Sequence, residues 1–251
     1  MQRERGIGLP DAAAVETLKS LYGGAKDGKG QTIFPGFSMG DETSWKEWVV
    51  GEDPAASTFS RFVQNYFRYV VTGDPKWNAL TANMDEALRM SREKGASDLD
   101  ATDPDLSRLA ARGGKVILYH GWNDPAISPA NAIAYYKSVE DKMGAQKAAS
   151  FMRLYMVPGM EHCAGGPGAS SFGQLGMETA MGPKHGLFDS LQGWVEKGSP
   201  AEDVVATKYA PGENGTRKTV MTRPLCAYPS VAKYNGSGDS SNAANFACVK
   251  P

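Results

Sequence analysis

Two apolar runs, each breaking into a polar loop, constrain this chain more than any other feature. The first is KVILYHGWNDP, residues 115–125, and the second begins SFMRLYMVPGMEHCAGGPG, residues 150–168. A short apolar run bounded by turn signals suits a strand buried on both faces, as in a parallel sheet. Between them SPANAIAYYKSVEDKMG, 128–144, reads as a helix with Pro129 in its first turn. After them HGLFDSLQGWVEKG, 185–198, reads as an amphipathic helix stopped by Gly198. Strand, helix, strand, helix with short links predicts a right-handed βαβ arrangement, and hence an α/β fold class. In open parallel sheets functional groups sit in loops beyond the carboxyl ends of strands. Asp124 follows the first run and His162 the second. Adjacent strands would bring that carboxylate to the imidazole, fixing its tautomer and stabilising the imidazolium formed when it takes a proton. On loop position alone, a pair of solvated loop residues is the competing reading.

The first hundred residues have another character. DAAAVETLKSLY, 11–22, reads as a helix that Asp11 can cap after Pro10, with Val15, Leu18 and Tyr22 on one face and Gly23-Gly24 as its stop. AKDGKGQTIFPGF is a turn-rich loop, and ETSWKEWVVG places Trp45, Trp48 and Val49 on one side. In STFSRFVQNYFRYVV, 57–71, the residues Phe59, Phe62, Val63, Tyr66, Phe67 and Val70 fall at helical spacing, which predicts a core-facing stripe. Residues 82–112 are polar and Asp-rich, with one capped short helix in TDPDLSRLAARGG. The change of character near residue 100 divides the chain into portions 1–100 and 101–251.

With 251 residues, 41% of them hydrophobic, the chain can bury a sizeable core. A net charge of -1 gives no field to attract nucleic acid or an anionic membrane. No apolar run approaches the roughly 18 residues of a membrane span, and the start, MQRERGIGLPD, lacks the apolar stretch of a secretory signal. Cysteine is present three times. Cys226 and Cys248 bracket a polar tail with few apolar anchors; a disulfide there would restrict the unfolded chain, and two free thiols are the alternative. Cys163, beside His162, is then left over, as a reactive thiol or as half of a pair with a partner elsewhere.

A nucleophile is harder to find. Gly36-Phe37-Ser38-Met39-Gly40 spells G-x-S-x-G, the signature of a serine on a sharp strand-to-helix turn. Yet Pro35 sits where the end of a buried strand belongs, and only TIF precedes it. His120, ending the first run, reads as a backbone-bonded histidine near the pocket, with a second base or a metal ligand as alternatives; no partner ligands lie at metal spacing. His185 reads as exposed, and Ile127 as a strand-end residue lining an apolar pocket. Phe37, Trp45 and Trp48 either stack on an aromatic group or simply pack among themselves. DLDATDPD, 98–105, lacks the glycine and closing glutamate of an EF-hand loop and reads as a capped turn.

The blocks GGKVILYHGWNDPAISPANAIAYY and FMRLYMVPGMEHCAGGPG, with DATDPDLSRLAARGG before them and the tail RPLCAYPSVAKYNGSGDSSNAANFAC after, resemble the tannase and feruloyl esterase family of α/β hydrolases. LYGGAKDGKGQTIFPGFSMGDETSW resembles part of that family's lid domain, so the likeness runs through nearly the whole chain. It implies the last parallel strands of a hydrolase sheet with flanking helices, plus a mostly helical lid portion. It implies Asp124 as the triad acid, His162 as the general base, and Cys226–Cys248 as a C-terminal disulfide. Cys163 matches a cysteine that in the family pairs with one immediately before the nucleophilic serine; Phe37 stands before Ser38, so Ser38 matches the lid instead. The nucleophile segment, the oxyanion hole and the lid's calcium loop have no counterpart here, so no cofactor or metal is expected. The implied activity is Ser-His-Asp hydrolysis of small aromatic (phenolic) esters by a secreted or periplasmic enzyme, with an upstream N-terminal part of the same enzyme as partner. Two rival readings stand: a self-sufficient hydrolase using Ser38, and a non-catalytic fragment that binds phenolics.

Overall fold

In a computed structural model, which describes residues 11–53, 55–202 and 204–251, Asp11 caps the first helix by accepting the Ala14 amide at 2.8 Å. The segment read for a signal, 1–10, lies outside the described residues, Pro10 with it. Helix α1 (Ala12–Gly23) ends at Gly24, whose φ of 80° turns the chain into an exposed antiparallel hairpin, β1 (Ala25–Lys26) and β2 (Thr32–Phe34). The following loop returns to the helix end: a Cβ on Gly36 would lie 2.1 Å from the Tyr22 carbonyl oxygen. A single tight turn, Glu42–Ser44, leads into a π-helical turn, Lys46–Val50.

Helix α2 (Thr58–Asn65), capped by Ser57, continues as a second π-helical stretch, Tyr66–Thr72. The expected core stripe is only partly inside. Val71 is buried, whereas Phe62 is 65% exposed and Val70 53%. The wider π turn breaks the 3.6-residue period, so Val71 rather than Val70 faces inward. Helix α3 (Met84–Lys94) was not expected from its polar composition. Its capping chemistry explains it: Asn83 accepts the Glu86 amide, Asp85 and Glu86 lie in the first turn, and Arg92 and Lys94 in the last. The short helices α4 (Ala96–Leu99) and α5 (Ser107–Ala111) lead to the sheet.

The βαβ unit forms as its pattern predicts. Strand β3 (Val116–Gly121) is followed by α6 (Pro129–Met143), α7 (Ala145–Phe151) and β4 (Met152–Val157). The strands pair in parallel, from Val116 opposite Met152 to Gly121 opposite Val157. On one side Tyr136, Val139, Phe151, Met152 and Leu154 form a buried cluster; on the other, Tyr155, Val157, Met160, Phe172 and Leu225 form a second. Helix α8 (Leu187–Lys197) buries Trp194. Two antiparallel hairpins complete the chain: β5 (Val205–Pro211) with β6 (Arg217–Pro224), and β7 (Val231–Tyr234) with β8 (Phe246–Val249). The Cys226–Cys248 disulfide, Cα–Cα 5.5 Å, ties the last strand to the end of the first hairpin. Among the described residues β3 pairs only with β4, so its second edge is open. No helix among them is long and apolar enough to cross a membrane.

Candidate active site

The loops after β3 and β4 meet because a glycine lets them. A Cβ on Gly121 would lie 2.2 Å from the Met160 carbonyl oxygen, so no larger residue allows this approach. The amides of Trp122 and Asn123 then bond the carbonyls of Val157 and Met160, each at 3.0 Å. This brings Asp124 and His162 together: His162 Nδ1 lies 3.0 Å from Asp124 Oδ2. Asp124 is 3% exposed. Its Oδ1 accepts the amides of Ala126 at 2.8 Å and Ile127 at 3.0 Å. Its Oδ2 also lies 3.1 Å from His120 Nε2, which is 3.0 Å from the Ile127 carbonyl oxygen. Burial alone would push this carboxyl up, but the hydrogen bonds from His120, His162 and the two amides outweigh it and hold it at about 2. A carboxylate so placed stays ionised and accepts the His162 Nδ1 proton in a hydrogen bond, which leaves Nε2 as the basic nitrogen. Nε2 makes no hydrogen bond among the described residues, and the His162 side chain is 41% exposed.

The N-terminal portion reaches this site directly. Trp48 lies beside the imidazole, ring centres 5.7 Å apart, and a line of rings runs back from it through Phe59 and Phe37 to Trp45 and Tyr22. Trp45 is 6% exposed and enclosed by Tyr22 and Phe37. Of the two tryptophans, Trp45 sits inside the ring line, and Trp48 holds the place next to His162. Phe37 is half-buried on one wall of a cavity of about 960 Å³ shared with Phe34, Phe59, Val63 and Ala126. Ile127 is 40% exposed at the end of the acid loop. Polar contacts clamp the two portions: Asn123 donates to the Gly40 carbonyl, Ser128 to that of Gly36, and Ser44 to Glu161 at 3.0 Å. Asn123 and Ser44 carried no sequence signal, since each is an ordinary loop polar residue until its partner is known.

Ser38 lies in the irregular loop after β2, not at the end of a parallel strand, and makes no hydrogen bond to His162 among the described residues. Cys163 is an exposed free thiol whose φ of 64° holds a non-glycine residue in the left-handed region. Asp41 is wholly buried, and neither of its oxygens nor Trp45 Nε1 has a well-formed hydrogen bond. Burial, with the charge of Glu42 beside it, pushes Asp41 up to about 6, against a smaller lowering from the Trp45 indole. Among the described residues no group of three or more His, Cys, Asp or Glu comes together to hold a metal ion.

The profile of the family described as tannase and feruloyl esterase matches residues 10–249. An uncharacterized esterase of Xanthomonas campestris is 34% identical over 95% of this chain and 46% of its own length. Mono(2-hydroxyethyl) terephthalate hydrolase of Piscinibacter sakaiensis is 42% identical over 60% of this chain and 22% of its own. The crystal structure of feruloyl esterase B from Aspergillus oryzae superposes with a TM-score of 0.80 at 27% identity, covering 95% of this chain and 46% of that one. The chain therefore spans about half the length of the relatives it matches along nearly all of itself, and its sheet and helices are of their α/β-hydrolase type. By sequence profile, by identity and by fold, the chain belongs to the tannase and feruloyl esterase family.

Proposed function

We propose that this chain carries the acid and base of a carboxylic ester hydrolase that works by a Ser-His-Asp mechanism on esters of aromatic acids, and that another stretch of polypeptide supplies its serine. The observation that carries the reading is the 3.0 Å contact of His162 Nδ1 with a buried, four-donor Asp124 while Nε2 stays open. In this reading Nε2 takes the serine hydroxyl proton as the oxygen attacks the ester carbonyl. The imidazolium then returns that proton to the leaving alcohol, and water releases the acid by the same route. Asp124 stays ionised throughout and balances the imidazolium charge. A positioned base contributes about 10² to 10⁴ in rate, and the developing oxyanion needs further donors that this reading places with the serine.

The open edge of β3 supports an additional segment: a parallel strand with an unpaired edge and partly exposed Val116, Ile117 and Leu118 is a template for a further strand. In the same reading residues 1–100 are the end of a lid and 101–251 the last part of the catalytic domain. Trp48, Ile127 and the Phe37 cavity receive the aromatic acyl group. Cys163 pairs with a cysteine beside the absent serine, and the Cys226–Cys248 disulfide fits a secreted or periplasmic enzyme.

The test is hydrolysis of methyl ferulate and methyl gallate by this chain alone and by the full reading frame that contains it. Activity in the long protein, lost with His162→Ala and unchanged by Ser38→Ala, is the expected result. Turnover by this chain alone that vanishes with Ser38→Ala would overturn the assignment of the nucleophile. Saturable binding of ferulate by the long protein without turnover would favour a binding fragment.

A further inference from the structure

His120 takes no part in the proton transfers of the proposed mechanism. This residue sits on the last turn of β3 toward the site, one position before the glycine that lets the two loops meet, and its side chain is 14% exposed. Its Nε2 lies 3.1 Å from Asp124 Oδ2 and 3.0 Å from the Ile127 carbonyl oxygen. Both neighbours are acceptors only, since Asp124 is ionised, so Nε2 carries the hydrogen whatever the charge on the ring. That N–H is shared between the carboxylate and the carbonyl. Asp124 thus has two donors on each oxygen: the amides of Ala126 and Ile127 on Oδ1, the imidazoles of His162 and His120 on Oδ2.

We propose that His120 is a positioning residue of the acid–base pair, acting through Asp124 and Ile127 rather than on substrate. The inference rests on reading Asp124 and His162 as that pair. A carboxylate turns on a broad torsion, and without His120 the Oδ2 oxygen would be held only by the partly exposed His162 ring. His120 removes this freedom at the oxygen that His162 uses. By bonding the Ile127 carbonyl with the same N–H, it also closes the Asp124–Ile127 turn and sets where the Ile127 side chain emerges. One imidazole on a strand end therefore couples the aim of the base to the position of the partly exposed Ile127 side chain.

The experiment needs no turnover. Asp124 is followed by the carbon-13 signal of its carboxyl through an acid titration, and the His162 pair by the low-field proton on Nδ1, in this chain and in His120→Phe, His120→Asn and His120→Gln. Phenylalanine removes the donor, and asparagine is polar but too short to span to Oδ2. Either change is expected to raise the Asp124 midpoint from about 2 by about one pH unit and to broaden the Nδ1 proton signal. Glutamine, which presents an amide N–H at greater reach, is expected to recover part of both. In the full-length enzyme the same variants should lower kcat through Asp124 and raise KM through Ile127. An unchanged Asp124 midpoint and an unchanged Nδ1 proton, in either folded variant that lacks the donor, would make His120 a fold-holding residue and overturn the proposal. Absence of esterase activity in the full-length wild type would strike the catalytic reading instead, so the two failures are separate.

Discussion

The two portions of this chain bury different things. Around β3 and β4 the interior is aliphatic and aromatic: Val139, Ala148, Leu154, Tyr155, Val157 and Phe172 are all fully buried. Before residue 100, α1 buries none of its residues and α2 only Thr58. What is buried there includes Trp45 and Val71 beside polar Asp41, Ser57 and Thr58. The sheet portion is held by area removed from water, at roughly 25 cal/mol per Å². The N-terminal portion is held by a line of rings and by the polar clamps from Asn123, Ser128 and Glu161. The difference teaches that the sheet can define the Asp124–His162 pair, while the ring line and clamps decide what surrounds it. A portion held by few buried contacts is also the one that opens at low free energy.

The comparison breaks first at the chemistry. Asp124→Asn in the full-length enzyme should lower kcat by about 10⁴, because the amide holds the wrong imidazole tautomer. Steady-state kinetics on methyl ferulate checks it, and a loss under tenfold would mean that the sheet portion does not carry the acid. Next, Leu154→Ala should destabilise this chain by about 4 kcal/mol in urea titration, as a fully buried leucine in the sheet. Phe62→Ala, at a site 65% exposed, should stay within about 0.5 kcal/mol. Equal effects would erase the contrast between the portions. Cys226→Ser with Cys248→Ser should remove roughly 3 kcal/mol, for a loop with a sequence separation of 22.

A pH-dependent effect sharpens the contrast further. Asp41 has its carboxyl raised from 3.8 to about 6 in the folded chain, chiefly by burial. The native state therefore binds the proton more tightly than the unfolded one. Its stabilising contribution is full below pH 4 and is lost as pH rises through 6. Above that the fold carries a buried charge with no cation beside it among the described residues. Asp41→Asn should thus be more stable than wild type by about 3 kcal/mol at pH 8 and nearly equal at pH 4. Urea melts at both pH values check it, and equal stability at pH 8 would show that Asp41 finds a partner.

Much of the sheet portion was legible from residue order. The two apolar runs and the proline-led helix between them specify a βαβ unit, and Asp124 and His162 fall at its strand ends by the same logic. The N-terminal portion was less legible. The stripe from Phe59 to Val70 has helical spacing, yet a π turn after Asn65 moved its face. Helix α3 was hidden by polar composition although its caps were present in the residues. Trp45 and Trp48 were equivalent as aromatic residues on one side of a segment. Only packing put one inside the ring line and the other beside the imidazole.

The amino-acid order by itself determined the strand–helix–strand unit, the loop positions of Asp124 and His162, and a cysteine pair suited to closing the tail. These follow from local periodicity and from turn and cap chemistry, which need no knowledge of distant neighbours. Tertiary structure alone decided that His120 Nε2 lies between Asp124 and the Ile127 carbonyl, that Asp41 is wholly buried, and that Gly121 is where the two loops touch. The physical reason is range. A hydrogen bond or a desolvated charge depends on which atoms come within a few ångströms across tens of residues of chain, and a pattern along the chain does not encode that distance.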